Sequence, residues 1–464
     1  MKVLKNHLIY SLALVWVVLA ALVGMHWLPT LTIDGHTLRR VDLLSDIRPP
    51  EPALAEADTD SVALPPIVKP AFVDTCRTGL TCIEDYGDST HRGMLPFYEA
   101  LGRLDDPASA DDLVRVAVFG DSFIEGDIFT ADLREMLQQR YGGCGVGYVD
   151  MTSQTSGYRP TVRHTFGGWE SHAATDSARF DRKKQGISSH YFVPRGGAYA
   201  EWRGQSRYAS RLDTCQRVTL FFASRDTLSL TARVNGGEEQ PFVVPPTADL
   251  QHLTLEGRIG SIRWTVRQAA DSTLFYGVTM DGRRGIAVDN FSLRGSSGLT
   301  LRNIPSRFLR SFNRQRPYDL IVLVFGLNVA TERGRDYNGY RQGMEAVVAH
   351  LQENFPQAGF LLVGVGDRDY KTDEGDFHTM PGVKNLIRYQ QAIAAQSGIA
   401  FWNMFDAMGG EESMSKLVHA KPQMANYDYT HINFRGGKRL AGLLFDTMMY
   451  GKEQYDRRRA YEEE

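Results

Sequence analysis

Four residues in this sequence have the types and settings that acyl-transfer chemistry needs. Residues 118–127 read VFGDSFIEGD, an apolar run that ends in Gly-Asp-Ser. The hydroxyl of Ser122 is a weak nucleophile until a base removes its proton. His431, in the run Asp428-Tyr429-Thr430-His431, is the base this pattern offers. Asp428 stands three residues before it and can accept from the second imidazole nitrogen, which fixes the tautomer and stabilises the imidazolium. Attack by serine creates an oxyanion, and preorganised donors must meet it. The side-chain amide of Asn328, in Gly326-Leu327-Asn328, is one such donor, and the backbone N–H of Ser122 is a second. Asp121 reads as a residue that holds the turn. Glu125 and Asp127 read as caps of the helix that follows, since acids favour helix N-termini.

Strand ends must position these groups. LVRVAVF at 113–119 and DLIVLVF at 319–325 are apolar runs of buried-strand length, and the Asp428–His431 block directly precedes a final helix. In open α/β sheets, sites form outside the carboxyl ends of strands. The three blocks are therefore expected on one edge. GFLLVGVG and IAFWNMF supply two more strands. TADLREMLQQRYG, YRQGMEAVVAHLQENF and VKNLIRYQQAIAAQSG have helical spacing. The acid-rich stretch DRDYKTDEGDFHTM matches no calcium-loop spacing and reads as a solvated, lid-like loop.

Between residues 151 and 300 the texture changes. Short alternating runs such as RVTLFFAS, LSLTARVNG, SIRWTVRQ and TLFYGVTMDG are broken by turn residues. This pattern predicts a β-sandwich. Its aromatics, including Trp169, Tyr199, Trp202, Trp264 and Tyr276, read mostly as core. An α/β body whose first unit is separated from the rest by a β module is an insertion architecture.

Of the 464 residues, 42% are apolar, enough for a sizeable core, and the net charge is −3. No basic block stands out, which argues against a nucleic-acid surface. No Cys/His cluster has metal-ligand spacing, so neither a metal nor a cofactor is expected. Cys76 and Cys82 flank a short loop and would pair in an oxidising compartment, whereas Cys144 and Cys215 read as buried thiols. Lys2 and Lys5 precede an uncharged, mostly apolar run at 8–25, long enough to cross a bilayer. An uncleaved anchor with the rest of the chain exported is the expectation, and a cleaved signal peptide the alternative. Residues 29–75, rich in proline and acid, read as a tether.

The blocks GDS, Gly-x-Asn and Asp-x-x-His, in this order, resemble the SGNH (GDSL-type) hydrolase family. The resemblance covers roughly 110–150 and 290–450. It implies a flavodoxin-like three-layer α/β sandwich with Ser122, His431 and Asp428 as triad, and Ser122 N–H, a glycine N–H and Asn328 as oxyanion hole. The glycine follows from NFSLRG at 290–295, which resembles the family's N-x-x-x-x-G block, so Gly295 is the choice and Gly298 the fallback. A β domain inserted after the first block, with the run GDSFIEGDIFTADLREMLQQRYGGCGVGYV, is similar to the peptidoglycan O-acetylesterases. The expected divisions are an anchor at 1–28, a linker at 29–75, hydrolase segments at 76–150 and 290–455, and a carbohydrate-binding-like insert at 151–289. The implied activity is removal of O-acetyl groups from an envelope polysaccharide, most plainly peptidoglycan, on the periplasmic side of the inner membrane of a bacterium. An O-acetyltransferase with the same triad and a non-catalytic glycan-binding protein are the alternatives.

Overall fold

Six strands make the sheet that carries the candidate site. The computed structural model describes residues 3–25, 32–33, 36–37, 72–88, 93–105 and 112–463. The chain divides into two units, Met1–Pro70 and Ala71–Glu464.

In the second unit, β1 (Leu113–Gly120), β2 (Gly285–Ser292), β3 (Leu320–Val324), β4 (Gly359–Val363) and β5 (Ala400–Trp402) lie parallel, in the order β2-β1-β3-β4-β5. Glu84–Asp85 adds an antiparallel edge. The residues of β3 and β4 are all buried, as expected of strands covered on both faces. The 2-1-3-4-5 order is the flavodoxin-like one, whose direction of winding reverses between β1 and β3. Right-handed crossovers then put helices on opposite faces. Thr130–Tyr141 packs with the last helix, Phe434–Glu463, and Asn338–Asn354 packs with Pro381–Ser397. The result is the expected three-layer α/β arrangement.

The β module enters between β1 and β2. Its nine strands belong to one hydrogen-bonded sheet and not to two separate ones, because Phe192 on His190–Gly204 pairs with Phe275 on Leu274–Asp281. The sheet encloses a core of its own, including Trp202, Trp264, Leu220 and Phe222. Gly147–Asp150 pairs within this sheet, and β2 begins at Gly285. The module is fastened to the body through charge. Arg316, almost wholly buried, donates to Asp281 at 2.6 and 3.0 Å and to Asp289 at 2.6 and 2.8 Å. Asp281 ends a strand of the module and Asp289 lies on β2. Asp289 also accepts from the Tyr318 hydroxyl and the Tyr148 N–H. Burial alone would raise the Asp289 pKa, yet Arg316 and these donors hold it below the usual carboxylate range.

In the first unit, Val3–Met25 forms one helix, with apolar side chains such as Leu12, Val15 and Trp16 exposed. Thr32–Ile33 pairs with His36–Thr37. Among the described residues no helix is long and apolar enough to cross a membrane, so the anchor expected over 1–28 finds no support. Most of the expected linker, 29–75, lies outside the described residues. Cys76 and Cys82 form a disulfide, Cys215 is buried and Cys144 partly so.

Candidate active site

β1 ends at Gly120, where the chain must turn sharply. A Cβ at this position would lie 2.7 Å from the Ile124 side chain and 2.8 Å from the Val324 carbonyl oxygen. Only glycine lets the ends of β1 and β3 come this close. Asp121 then shapes the turn, its Oδ1 accepting from the Phe123 N–H at 2.9 Å. Ser122 stands at the tip, partly exposed, at the switch point between β1 and β3 where open α/β sheets form their crevice.

Across this crevice lies the run before the last helix. Ser122 Oγ is 2.9 Å from His431 Nε2, and His431 Nδ1 is 2.8 Å from Asp428 Oδ2. With Nδ1–H donating to the carboxylate, Nε2 is left to accept from the serine hydroxyl. The other carboxylate oxygen of Asp428 accepts from the N–H groups of Thr430 and His431, each at 3.0 Å. Burial pushes the Asp428 pKa up, but these hydrogen bonds outweigh it and leave the group below its ordinary value. Tyr429, between the two, adopts φ +52°, a left-handed conformation that a tyrosine rarely takes. It is held from three sides. Its ring stacks on Phe377 at 3.7 Å, its hydroxyl meets His419 Nε2 at 2.9 Å, and its carbonyl accepts from the Asp369 N–H.

The third block arrives from β3. Gln390 on Pro381–Ser397 donates to the Phe325 carbonyl at 2.7 Å and accepts from the Val365 N–H at 2.8 Å, joining the ends of β3 and β4. Asn328 Nδ2 donates to Asp121 Oδ2 at 3.1 Å and to the Ser296 carbonyl at 3.0 Å. These bonds draw together the serine turn, Asn328 and the loop after β2 that carries Gly295. Both N–H groups of the Asn328 amide are thus engaged, so one contact must open or be shared for it to serve an oxyanion. Gly295 has φ +76° and open space at its Cβ position. The N–H of Gly298, the fallback, is bonded to Ser296 Oγ at 3.1 Å. Among the described residues nothing accepts from the N–H of Ser122 or Gly295. Burial raises the Asp121 pKa to about 6 against hydrogen bonds from Phe123 and Asn328 that lower it.

Two acids act otherwise than expected. Asp127 is fully buried and meets Arg134 at 3.3 Å and Arg159 at 2.8 Å, while Glu125 pairs with Arg294. Neither caps the helix. Asp127 is a hub that also accepts from Thr130 and Asn290, and Asn290 in turn donates to the Ile124 carbonyl behind the serine turn. Asn290 was legible as the first residue of NFSLRG. The polar stretch at 367–380 contains a short hairpin, Asp369–Lys371 with Phe377–Thr379, and its Asp367 and Asp369 are buried. His164 is a core residue whose pKa burial and nearby Arg159 push down to about 3. Among the described residues no group of three or more His, Cys, Asp or Glu could hold a metal ion.

No family model matches the sequence, and no curated protein matches it either. The fold has solved counterparts. A peptidoglycan O-acetylesterase superposes with a TM-score of 0.65 at 20% identity, over 80% of this chain and 99% of that one. Family two carbohydrate esterases from Cellvibrio japonicus and Clostridium thermocellum match at 10% and 12% identity. Each covers 62% of this chain, over 99% and 100% of their own lengths, with TM-scores of 0.25 and 0.26, too low to argue from. The chain has the flavodoxin-like α/β fold of the first of these structures. That structure shares it over nearly all of its own length.

Proposed function

We propose that this protein is a serine esterase that removes O-acetyl groups from a polysaccharide of the bacterial cell envelope, with peptidoglycan the leading substrate. The observation that carries the reading is the hydrogen-bonded series Ser122 Oγ, His431 Nε2, His431 Nδ1, Asp428 Oδ2, at 2.9 and 2.8 Å.

In the proposed reaction His431 Nε2 takes the Ser122 proton as Oγ bonds to the acetyl carbonyl carbon. The oxyanion is met by the N–H groups of Ser122 and Gly295 and by the Asn328 amide. The C–O bond to the sugar breaks, and His431 delivers its proton to the departing hydroxyl. Water, deprotonated by His431, then attacks the acetyl-serine. Acetate leaves and Ser122 regains its proton. Asp428 keeps the ring oriented and faces the imidazolium at each step.

The export side of the envelope is part of the proposal. Its support is Lys2 and Lys5 ahead of the uncharged run at 8–25, together with the Cys76–Cys82 disulfide, a bond that persists in oxidising compartments. The test is Ser122→Ala. Release of acetate from O-acetylated peptidoglycan and of p-nitrophenol from p-nitrophenyl acetate should both vanish while the circular dichroism spectrum stays that of the parent. An alanine variant that still turns over either ester refutes the assignment.

A further inference from the structure

Beside the serine turn is a cavity of about 420 Å³, within the range of about 300–1,000 Å³ typical of small-ligand sites. One wall is the turn itself, Glu125 to Asp127, with the loop at Ser292 to Arg294. The other comes from the β module, including Asp150, Gln154, Asp176 and His190. Its lining includes four carboxylates, the guanidinium groups of Arg159 and Arg294, and several hydroxyls. Such a lining suits a neutral ligand rich in hydroxyls and opposes a fatty acyl chain or a polyanion.

Tyr158 does not line this cavity but packs on residues that do, Glu125 and Gly126, and directly precedes a third, Arg159. Its ring covers Gly126, which has φ +65°, so closely that a Cβ there would lie 2.7 Å from the ring. Its hydroxyl donates to Glu125 Oε2 at 3.3 Å. The next residue fixes it in place. Arg159, whose side chain is largely buried, grips Asp127 at 2.8 Å and the Thr161 hydroxyl at 3.1 Å. The aromatic ring is thus anchored from behind and at its tip, yet Tyr158 remains 47% exposed. Most aromatics of the module are committed elsewhere: Trp202 and Trp264 are in the core, and Tyr199 is under Arg263. A fixed ring with a polar handle and an open face, lying over Gly126, which is four positions after the proposed nucleophile, has the form of a stacking platform.

We propose that Tyr158 is the saccharide platform of the esterase site. One sugar ring of the acetylated polymer lies against its open face, and the adjoining sugar enters the polar cavity between turn and module. This deepens the reading given above and rests on Ser122 being the nucleophile. The β module then selects a polysaccharide ester over a lipid ester from beside the serine turn, at Glu125 to Asp127.

The test compares O-acetylated peptidoglycan with p-nitrophenyl acetate, which carries no sugar to stack on the ring or enter the cavity. In Tyr158→Ala the ratio of kcat/KM on the polymer to kcat/KM on the small ester should fall by roughly tenfold or more, mainly through KM. Tyr158→Trp should hold that ratio within about threefold, since the ring is kept. An unchanged ratio in Tyr158→Ala, or equal losses on both esters, overturns the proposal. Tyr158→Leu serves the same comparison if the alanine variant does not fold. Should the parent protein release no acetate at all, the esterase reading fails separately. Co-sedimentation with O-acetylated peptidoglycan in the Ser122→Ala background then decides the platform: binding that weakens when Tyr158→Ala is added upholds it, and unaltered or absent binding overturns it.

Discussion

Asn328 donates to the carboxylate of Asp121 at 3.1 Å, although the two residues are 207 positions apart. The acid next to the proposed nucleophile therefore aims the amide that is to meet the oxyanion. Asp121→Asn keeps one acceptor where two are used, so its NH2 group must face either the Phe123 N–H or the Asn328 amide. Under the proposed mechanism kcat on p-nitrophenyl acetate should fall by about 10²–10³, the usual effect of losing one oxyanion donor. KM should change little. A variant with parental kcat would show that Asn328 is aimed by other contacts.

Asp428→Asn keeps the shape of its side chain but can present N–H to His431 Nδ1, which favours the wrong tautomer. The expected loss in kcat is about 10²–10⁴, with Tm nearly unchanged because Asp428 is largely exposed. Steady-state kinetics beside thermal denaturation checks both parts. A large fall in Tm would point instead to a structural role through the Thr430 and His431 N–H bonds.

Arg316 is the clamp between module and body. Arg316→Met leaves Asp281 and Asp289 buried without their partner, and removing one member of a buried charge cluster typically destabilises by about 3–5 kcal/mol. Urea denaturation should register it as a lower midpoint. A loss below about 1 kcal/mol would mean that the carboxylates find other donors or protonate cheaply.

Asp369 gives a pH dependence whose sign is fixed by geometry. Its carboxyl is buried beside Asp367, with Glu412 near, and burial followed by these charges raises its pKa from 3.8 to about 7. Its Oδ2 accepts from the Ser415 N–H, while Asp367 takes hydrogen bonds from Thr379, Ser413 and Met414. Between 3.8 and about 7 the folded chain keeps a proton that the unfolded chain has released, so this group lowers stability as pH rises through that window and adds nothing further above it. Asp369→Asn removes the titration. Relative to the parent, its Tm should be higher at about pH 8 than at about pH 5. An equal difference at the two values would exclude Asp369 as the titrating group.

Much of this architecture is readable one segment at a time. LVRVAVF, DLIVLVF and GFLLVGVG announce buried strands through composition alone, and all three lie in the sheet. The Asp428–His431 pairing is also local, because three residues of separation at a turn bring the carboxylate to the ring. Ser122, Asn328 and Gly295 could be named from their blocks, and their order along the chain suggested a common edge. Other features depend on segments far apart. The charges of Glu125 and Asp127 look like helix caps because Arg294, Arg134 and Arg159 are invisible beside them in one dimension. The acids of DRDYKTDEGD look solvated, yet Asp367 and Asp369, at the foot of the hairpin, are buried.

What the amino-acid order determined by itself is the set of elements and the chemical groups at their ends, since strand and turn preferences act over a few residues. What only the tertiary structure decided is which of those groups meet. The 2.9 Å approach of His431 to Ser122 spans 309 positions. It exists because β1 and β3 are neighbours at the switch point and the last helix packs on Thr130–Tyr141. The place of Tyr158 over Gly126 belongs to the same category: it follows from the Arg159–Asp127 contact between module and body, and long-range pairings of this kind leave no periodic trace in the sequence.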